Sequence, residues 1–185
     1  MAVRGANYRR VADDLYPTPP EVVEALLKLV KFGRTVCDPA CGPSHNVLRV
    51  LRRHGHATIG MDKANGFDFT RDEFPAKRCD IVTNPPYGDR RAALALAFVE
   101  RSLAITERWR GRVAMLLPVD FDSGKTRCSV FRDCPCFDAK IVLLDRIRWF
   151  DGQSGSTNHA WYVWNWKRDS AMSPRILYSR IEERQ

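Results

Sequence analysis

No uninterrupted apolar stretch comes near the ~20 residues needed to cross a bilayer; runs such as 113–118 and 141–144 have the length of buried strands. Residues 1–16 are basic without an apolar centre, so no secretory signal and no membrane association are expected, and the cytoplasm is the expected location. Lysine is scarce, 7 residues against 23 arginines, within a balance of 30 basic and 22 acidic side chains and a net charge of +8. Arginine's planar fork suits phosphate, so the bias favours a polyanionic partner, slightly ahead of the alternative that a GC-rich coding sequence accounts for it. The six cysteines include no CxxC pair, and no histidine stands at metal-ligand spacing beside the grouped Cys128, Cys134 and Cys136. Reduced, mostly buried thiols and no metal are therefore expected. Repeats and low-complexity linkers are missing too. What remains is 185 residues, 44% hydrophobic and 28% charged, the size and composition of one globular domain.

Residues 1–15 show no periodicity and read as a flexible arm, and 169–185 as a basic tail carrying Arg175, Arg180 and Arg184, so the domain is expected over 16–168. Thr18-Pro19-Pro20-Glu21 has the form of a capping box opening a helix through Val22, Val23, Leu26, Leu27 and Val30 to about Gly33. Strand Thr35–Asp38 runs into the turn Pro39-Ala40-Cys41-Gly42-Pro43, and Ser44 is placed to cap a helix ending near Gly55. Strands follow at 57–61, 80–83, 113–117, 139–144 and 160–166, with helices over 91–109 and 125–132. The run Trp161, Tyr162, Trp164, Trp166 is expected to form core on one face of its strand. Such alternation predicts an α/β fold with a mainly parallel, doubly wound sheet.

Ligands of such sheets collect beyond the carboxyl ends of the strands. There the sequence puts a glycine turn after Asp38, an acid at Asp62, and the corner Asn84-Pro85-Pro86-Tyr87. A glycine turn followed by an acid 24 residues after Asp38 is the pattern of a nucleoside site, the turn allowing close approach and the acid binding ribose hydroxyls. Two consecutive prolines remove two N–H donors, so carbonyl oxygens face a ligand unpaired. The Asn84 side-chain oxygen and the Pro85 carbonyl then converge as acceptors for a planar NH₂ group, and Tyr87 offers a stacking face.

Asp38-Pro39-Ala40-Cys41-Gly42 together with Asn84-Pro85-Pro86-Tyr87 resembles the S-adenosylmethionine-dependent methyltransferases of amino groups, notably the N6-adenine DNA methyltransferases. Tyr16-Pro17-Thr18-Pro19, lying ahead of the glycine turn, is similar to their first cofactor motif, in the order of the gamma group. The resemblance implies a single Rossmann-like methyltransferase domain with one antiparallel strand near the C-terminus and no large target-recognition domain. It implies S-adenosylmethionine as cofactor, held by Tyr16, Thr18, Asp38, Pro39, Ala40, Gly42, Asp62, Asp68 and Phe69, and catalysis by Asn84, Pro85, Pro86 and Tyr87. The implied partner is nucleic acid, most of all DNA, with a base flipped into the site and target choice open to a separate specificity partner. Trp149 and Phe150 either supply a second aromatic face for substrate or are core. Family glycine turns carry a second glycine where Ser44 stands, and only five residues separate Asp62 from Asp68, fewer than the family's usual helix and strand. Methylation of ribosomal RNA or of a protein glutamine amide, and a non-catalytic nucleic-acid-binding module, are the competing expectations.

Overall fold

The structure, a computed structural model, describes residues 16–75, 78–87, 92–150, 153–154 and 157–182. The expected arm at 1–15 lies outside the described residues. Helix α1 (Pro20–Leu27) begins with a proline whose missing N–H would have no helical partner, and Glu21 in its first turn favours the helix dipole. Thr18 does not cap it: the N-cap is Pro19, no side chain caps the amides, and Thr18 is buried. The helix also ends sooner than expected, Val30 packing against the core from the loop beyond it.

Strand β1 (Thr35–Asp38) leads through the glycine turn to α2 (Asn46–Arg53), then β2 (Ala57–Gly60), β3 (Asp80–Thr83), α3 (Ala93–Glu107) and β4 (Arg112–Pro118). A short 3-10 segment, Lys125–Val130, stands where a longer helix was expected, followed by β5 (Phe137–Leu143) and a two-stranded ribbon of β6 (Arg148–Phe150) and β7 (Gln153–Ser154). Strands β8 (His159–Asn165) and β9 (Arg175–Ser179) close the order β2-β1-β3-β4-β8-β5-β9. Strands β1 to β4 pair in parallel, and β8 runs antiparallel to both β4 and β5, the single reversed strand expected near the C-terminus. The described residues thus form a Rossmann-like α/β fold around one seven-stranded, mainly parallel sheet.

Residues 175–179, expected within a basic tail, instead pair in parallel with β5 as the sheet edge. Two arginines of the expected tail are engaged within the chain: Arg175 pairs with Asp138 at 3.3 Å, beside Arg168 at 3.9 Å from the same carboxylate, and Arg180 pairs with Asp145 at 3.5 Å.

Period-two alternation divides the core. Val36, Val82, Ala114, Leu116, Trp161 and Val163 meet α1 and α2 on one face, while Cys37, Ile81, Met115, Leu117, Tyr162 and Trp164 meet α3 and Val130–Phe131 on the other. The tryptophan-rich strand is therefore buried on both faces, not one, because β8 lies between β4 and β5. Trp161 is fully buried, and its indole N–H donates to the Val22 carbonyl of α1 over 2.9 Å, fastening helix to sheet.

Trp161→Phe, which keeps an aromatic ring and removes that donor, is expected to destabilise the fold by about 1–3 kcal/mol, and Trp161→Ala by about 3–5 kcal/mol. Tyr178→Ala, at an exposed position of β9, is expected within about 0.5 kcal/mol of wild type; urea unfolding curves compare the three.

Candidate active site

Because β1 to β4 are parallel, their last residues share one edge: Asp38 stands beside Gly60 in the ladder, and Asn84 follows Thr83 directly. Asp38 is 1% exposed, and one carboxylate oxygen accepts the Ala40 amide at 3.1 Å. The buried Thr83 hydroxyl lies beside it without a hydrogen bond of ordinary geometry to any group. Burial pushes the Asp38 carboxyl up to about 7, opposed by Thr83 and the Ala40 amide and reinforced by the nearby Asp62 charge.

Asp62 organises the glycine turn. One oxygen accepts the Gly42 amide at 2.9 Å and the other the Ala64 amide at 2.8 Å, joining the loop after β1 to the loop after β2. The Cys41 amide also donates to the Met61 carbonyl at 3.0 Å. Gly42 has φ +56°, and a Cβ there would meet nothing within 4 Å, so the turn needs glycine for its conformation and leaves open space above it. Ser44 neither takes a left-handed conformation nor caps α2. That conformation belongs to the N-cap His45, φ 52°, and the helix start is tied by Asn46 Nδ2 donating to the Thr18 carbonyl at 3.0 Å. The missing second glycine at Ser44 is thus not a defect of the turn. Among the described residues no lysine or arginine forms an ion pair with Asp38 or Asp62. Two carboxylates beside an open glycine turn suit a ligand that brings its own positive charge.

The Asn-Pro-Pro-Tyr corner lies next along this edge, with Asn84 half-buried and Pro85 buried. Asn84 Nδ2 donates to the Tyr16 carbonyl at 3.4 Å, while Oδ1 accepts the Tyr87 hydroxyl at 3.2 Å. The same hydroxyl lies 3.3 Å from the Leu116 carbonyl. Tyr87 is turned inward, its ring stacked on His159 with centroids 6.2 Å apart and 27° between planes. Trp149, 9% exposed, packs on both Tyr16 and His159, at 5.5 and 5.3 Å between centroids. Trp149 is thus core and site wall at once, flanked by exposed Arg146 and Arg148. The side chain of Phe150 lies outside the described residues.

His159 was not visible as a site residue. It opens β8, and only the reversal of that strand brings its amino end to the carboxyl edge, opposite Pro118. Burial lowers its imidazole to about 4, so the ring is neutral near pH 7. Asp68 stands apart from Asp38, Asp62 and Asn84 in its bonding, accepting the Thr70 hydroxyl at 2.6 Å and amide at 3.0 Å. Phe69 is 2% exposed, packed on Phe98 and Phe74 at 5.0 and 6.0 Å. Arg112 opens β4 at the opposite edge of the sheet.

No protein-family profile matches the sequence, and no curated protein matches it. Solved structures do share the fold. A Listeria monocytogenes protein assigned to the class I S-adenosylmethionine-dependent methyltransferases superposes with a TM-score of 0.62 at 13% identity, over 95% of this chain and 68% of that one. A modification subunit assigned to a type I restriction enzyme of Vibrio vulnificus gives 0.59 at 16% identity, over 92% of this chain and 48% of its own. The type I restriction-modification methyltransferase subunit of Streptococcus thermophilus gives 0.59 at 16%, over 83% and 45%. The chain spans about half the length of those two subunits.

Between the ordinary Asp value of 3.8 and about 7, folded protein keeps a proton on Asp38 that the unfolded chain has released. Stability from this residue is therefore full below pH 4, falls as pH rises, and is lost above about 7. Asp38→Asn is expected to gain stability over wild type across that window and hold the gain above it, by no more than about 4 kcal/mol; urea midpoints at pH 5 and pH 8 give the comparison.

Proposed function

We propose that this chain is an S-adenosylmethionine-dependent methyltransferase acting on the exocyclic N6 amine of adenine in DNA, with the base extruded from the duplex. The observation that carries this reading is Asn84 at the carboxyl end of β3. Its amide group is oriented by the Tyr16 carbonyl so that Oδ1 points toward Tyr87, with two prolines following. A side-chain oxygen whose orientation is fixed by its own N–H₂ group is a pre-aimed acceptor, and it stands next to a nucleoside-type glycine turn on the same edge. The arginine excess favours a polyanionic substrate, and two of the structurally similar proteins are described as restriction-modification subunits.

In this reading the cofactor supplies a sulfonium-activated methyl group. Asp38 would face its positive charge, Gly42 and Ala40 would let it approach the backbone, and Asp62 would hydrogen-bond the ribose hydroxyls through its remaining lone pairs. Tyr16, Thr18 and Pro39 complete the methionine end, and Asp68 with Phe69 the adenine side. Asn84 Oδ1 and the Pro85 carbonyl accept the two hydrogens of the target amine, drawing the nitrogen toward a tetrahedral geometry so that its lone pair faces the methyl carbon. Pro86 holds the corner. The Tyr87 hydroxyl gives up Oδ1 to the incoming amine, and its ring stacks on the base. His159, neutral, adds no positive charge near a cationic cofactor. No side chain need act as a strong base, since the methylated amine loses its proton to water. In this reading target choice is open to a separate specificity partner.

Labelled methyl transfer from S-adenosylmethionine to unmethylated DNA, RNA and protein, with digestion of the products, tests this. Label on DNA adenine is expected, reduced by about 100-fold or more in Asn84→Ala with cofactor affinity little changed. Tyr87→Phe is expected to retain transfer, and Tyr87→Ala to weaken substrate binding by about 1–3 kcal/mol. Label on RNA or on glutamine would keep the chemistry and replace the substrate; absence of both transfer and cofactor binding would leave a nucleic-acid-binding module.

A further inference from the structure

At the opposite edge of the sheet, the turn before β5 contains Cys134-Pro135-Cys136, whose sulfur atoms lie 3.2 Å apart. Cys136 is 2% exposed and Cys134 is half-buried, so Cys134 is the more accessible of the two. The turn is held from several sides. The Asn165 amide at the end of β8 donates to the Cys136 carbonyl at 2.7 Å, and the Phe137 amide donates to the Cys134 carbonyl at 3.3 Å. The Arg168 guanidinium, its side chain 8% exposed, donates to the Pro135 carbonyl at 2.9 Å and to the Met172 carbonyl.

Among the described residues no group of three or more His, Cys, Asp or Glu side chains that could hold a metal ion includes this pair. The two thiols differ in surroundings. Cys134 is drawn down to about 7, first by the hydrogen bond from Cys136, then by the amides of Cys136 and Phe137 and the Arg168 charge. Cys136 is pushed far up by that same hydrogen bond and by burial, with the Glu107 charge adding to it. Asp138, paired with Arg168, tempers the positive field there. An accessible low-pKa thiol beside a buried partner is the pairing of an attacking and a resolving cysteine.

We propose that Cys134 and Cys136 are a modification site, an oxidisable dithiol that a hydroperoxide converts to an internal disulfide. The Cys134 thiolate attacks one oxygen of hydrogen peroxide, the O–O bond breaks, and hydroxide leaves and takes up a proton as water. The sulfur of Cys136 then attacks the sulfenic sulfur of Cys134; the S–S bond forms, the S–O bond breaks, and the second oxygen leaves as water with the Cys136 proton. Two thiols lose two electrons and two protons, and one peroxide becomes two waters. The site uses no residue of the proposed methyl transfer and stands or falls independently of it.

Trypsin cuts after Arg132 and Lys140, so Cys134 and Cys136 fall alone in one peptide, 133–140. The full chain would be treated with equimolar hydrogen peroxide, blocked with iodoacetamide, digested and weighed. That peptide is expected lighter by two hydrogens and unalkylated, and dithiothreitol is expected to restore it. In Cys136→Ser, dimedone is expected to trap a sulfenic acid on Cys134, while Cys134→Ser should leave Cys136 reduced. A drop to pKa 7 raises the thiolate population at pH 7 more than it lowers nucleophilicity, a net gain of roughly sixfold, so Cys136→Ala is expected to slow Cys134 alkylation severalfold. A peptide doubly alkylated after peroxide, or cross-linked to Cys128, overturns the proposal, as does an alkylation rate unchanged in Cys136→Ala.

Discussion

Asp38 is a carboxyl group buried at the end of a central strand, with no ion pair to a described lysine or arginine, and the arrangement around it follows from the cost of that burial. Asp38 ends β1, which β2 and β3 flank on both sides, so the chain has no route by which to expose it. One backbone amide and a neighbouring hydroxyl offset only part of the loss of water, and the second acid, Asp62, adds repulsion. Stability alone does not favour two acids here. A positively charged guest does, because its charge does for both what water does in the unfolded chain. The same carboxylate of Asp62 that raises the cost also draws two loops together through the amides of Gly42 and Ala64. The loop geometry and the electrostatic deficit thus have a common origin.

The Asn84 corner has a complementary logic. An amide acceptor is useful only if its oxygen cannot exchange places with its nitrogen, and the Tyr16 carbonyl prevents that exchange by taking a hydrogen from Nδ2. A residue distant in sequence therefore sets the direction of Oδ1. Tyr87 adds an exchangeable partner, since its hydroxyl reaches Asn84 Oδ1 and the Leu116 carbonyl at nearly equal distance. Surrendering one acceptor leaves the other, so freeing Asn84 does not strand the hydroxyl. The ring stacks on His159 at 6.2 Å, a contact that a planar base can replace in kind.

Much of this was legible in sequence where a local pattern carried it. Strands β1 and β3 are short apolar runs ended by Asp38 and by Asn84, and α3 is long and periodic enough to be unmistakable. The helix caps were not legible. Thr18 and Ser44 have capping chemistry, yet Thr18 is drawn into the interior and its carbonyl binds Asn46, while His45 takes the left-handed position before α2. Tertiary contacts decided both. Strand β9 escaped because its short apolar run, Ile176-Leu177-Tyr178, is bracketed by Arg175 and Arg180 and reads as part of a basic tail. Trp161 and Trp164 show the opposite failure: tryptophans three apart in a strand point to opposite faces, and only the placement of β8 between two strands reveals that both faces are covered. His159 was hidden for the same reason, since its place depends on strand direction rather than on neighbours in sequence.

The two edges of the sheet differ in how their polar groups are satisfied. At the amino edge, Asp80 takes the Gly33 amide at 2.6 Å and the Arg112 amide at 2.8 Å, and the Trp109 indole donates to the Cys79 carbonyl at 2.8 Å. Those bonds link the loops before β1, β3 and β4 and hold the sheet together. At the carboxyl edge, Asp38, Thr83 and Asn84 keep hydrogen-bonding capacity that the chain itself does not saturate. A parallel sheet can separate these tasks because its crossovers, such as those through α2 and α3, return the chain to the amino edge and leave the loops beyond the strands free to vary. The firmness of one edge is the condition for unsatisfied chemistry at the other: the geometry of Asn84 against Asp38 is only as fixed as the registers of β1, β3 and β4, and those registers are anchored from the amino edge by Asp80.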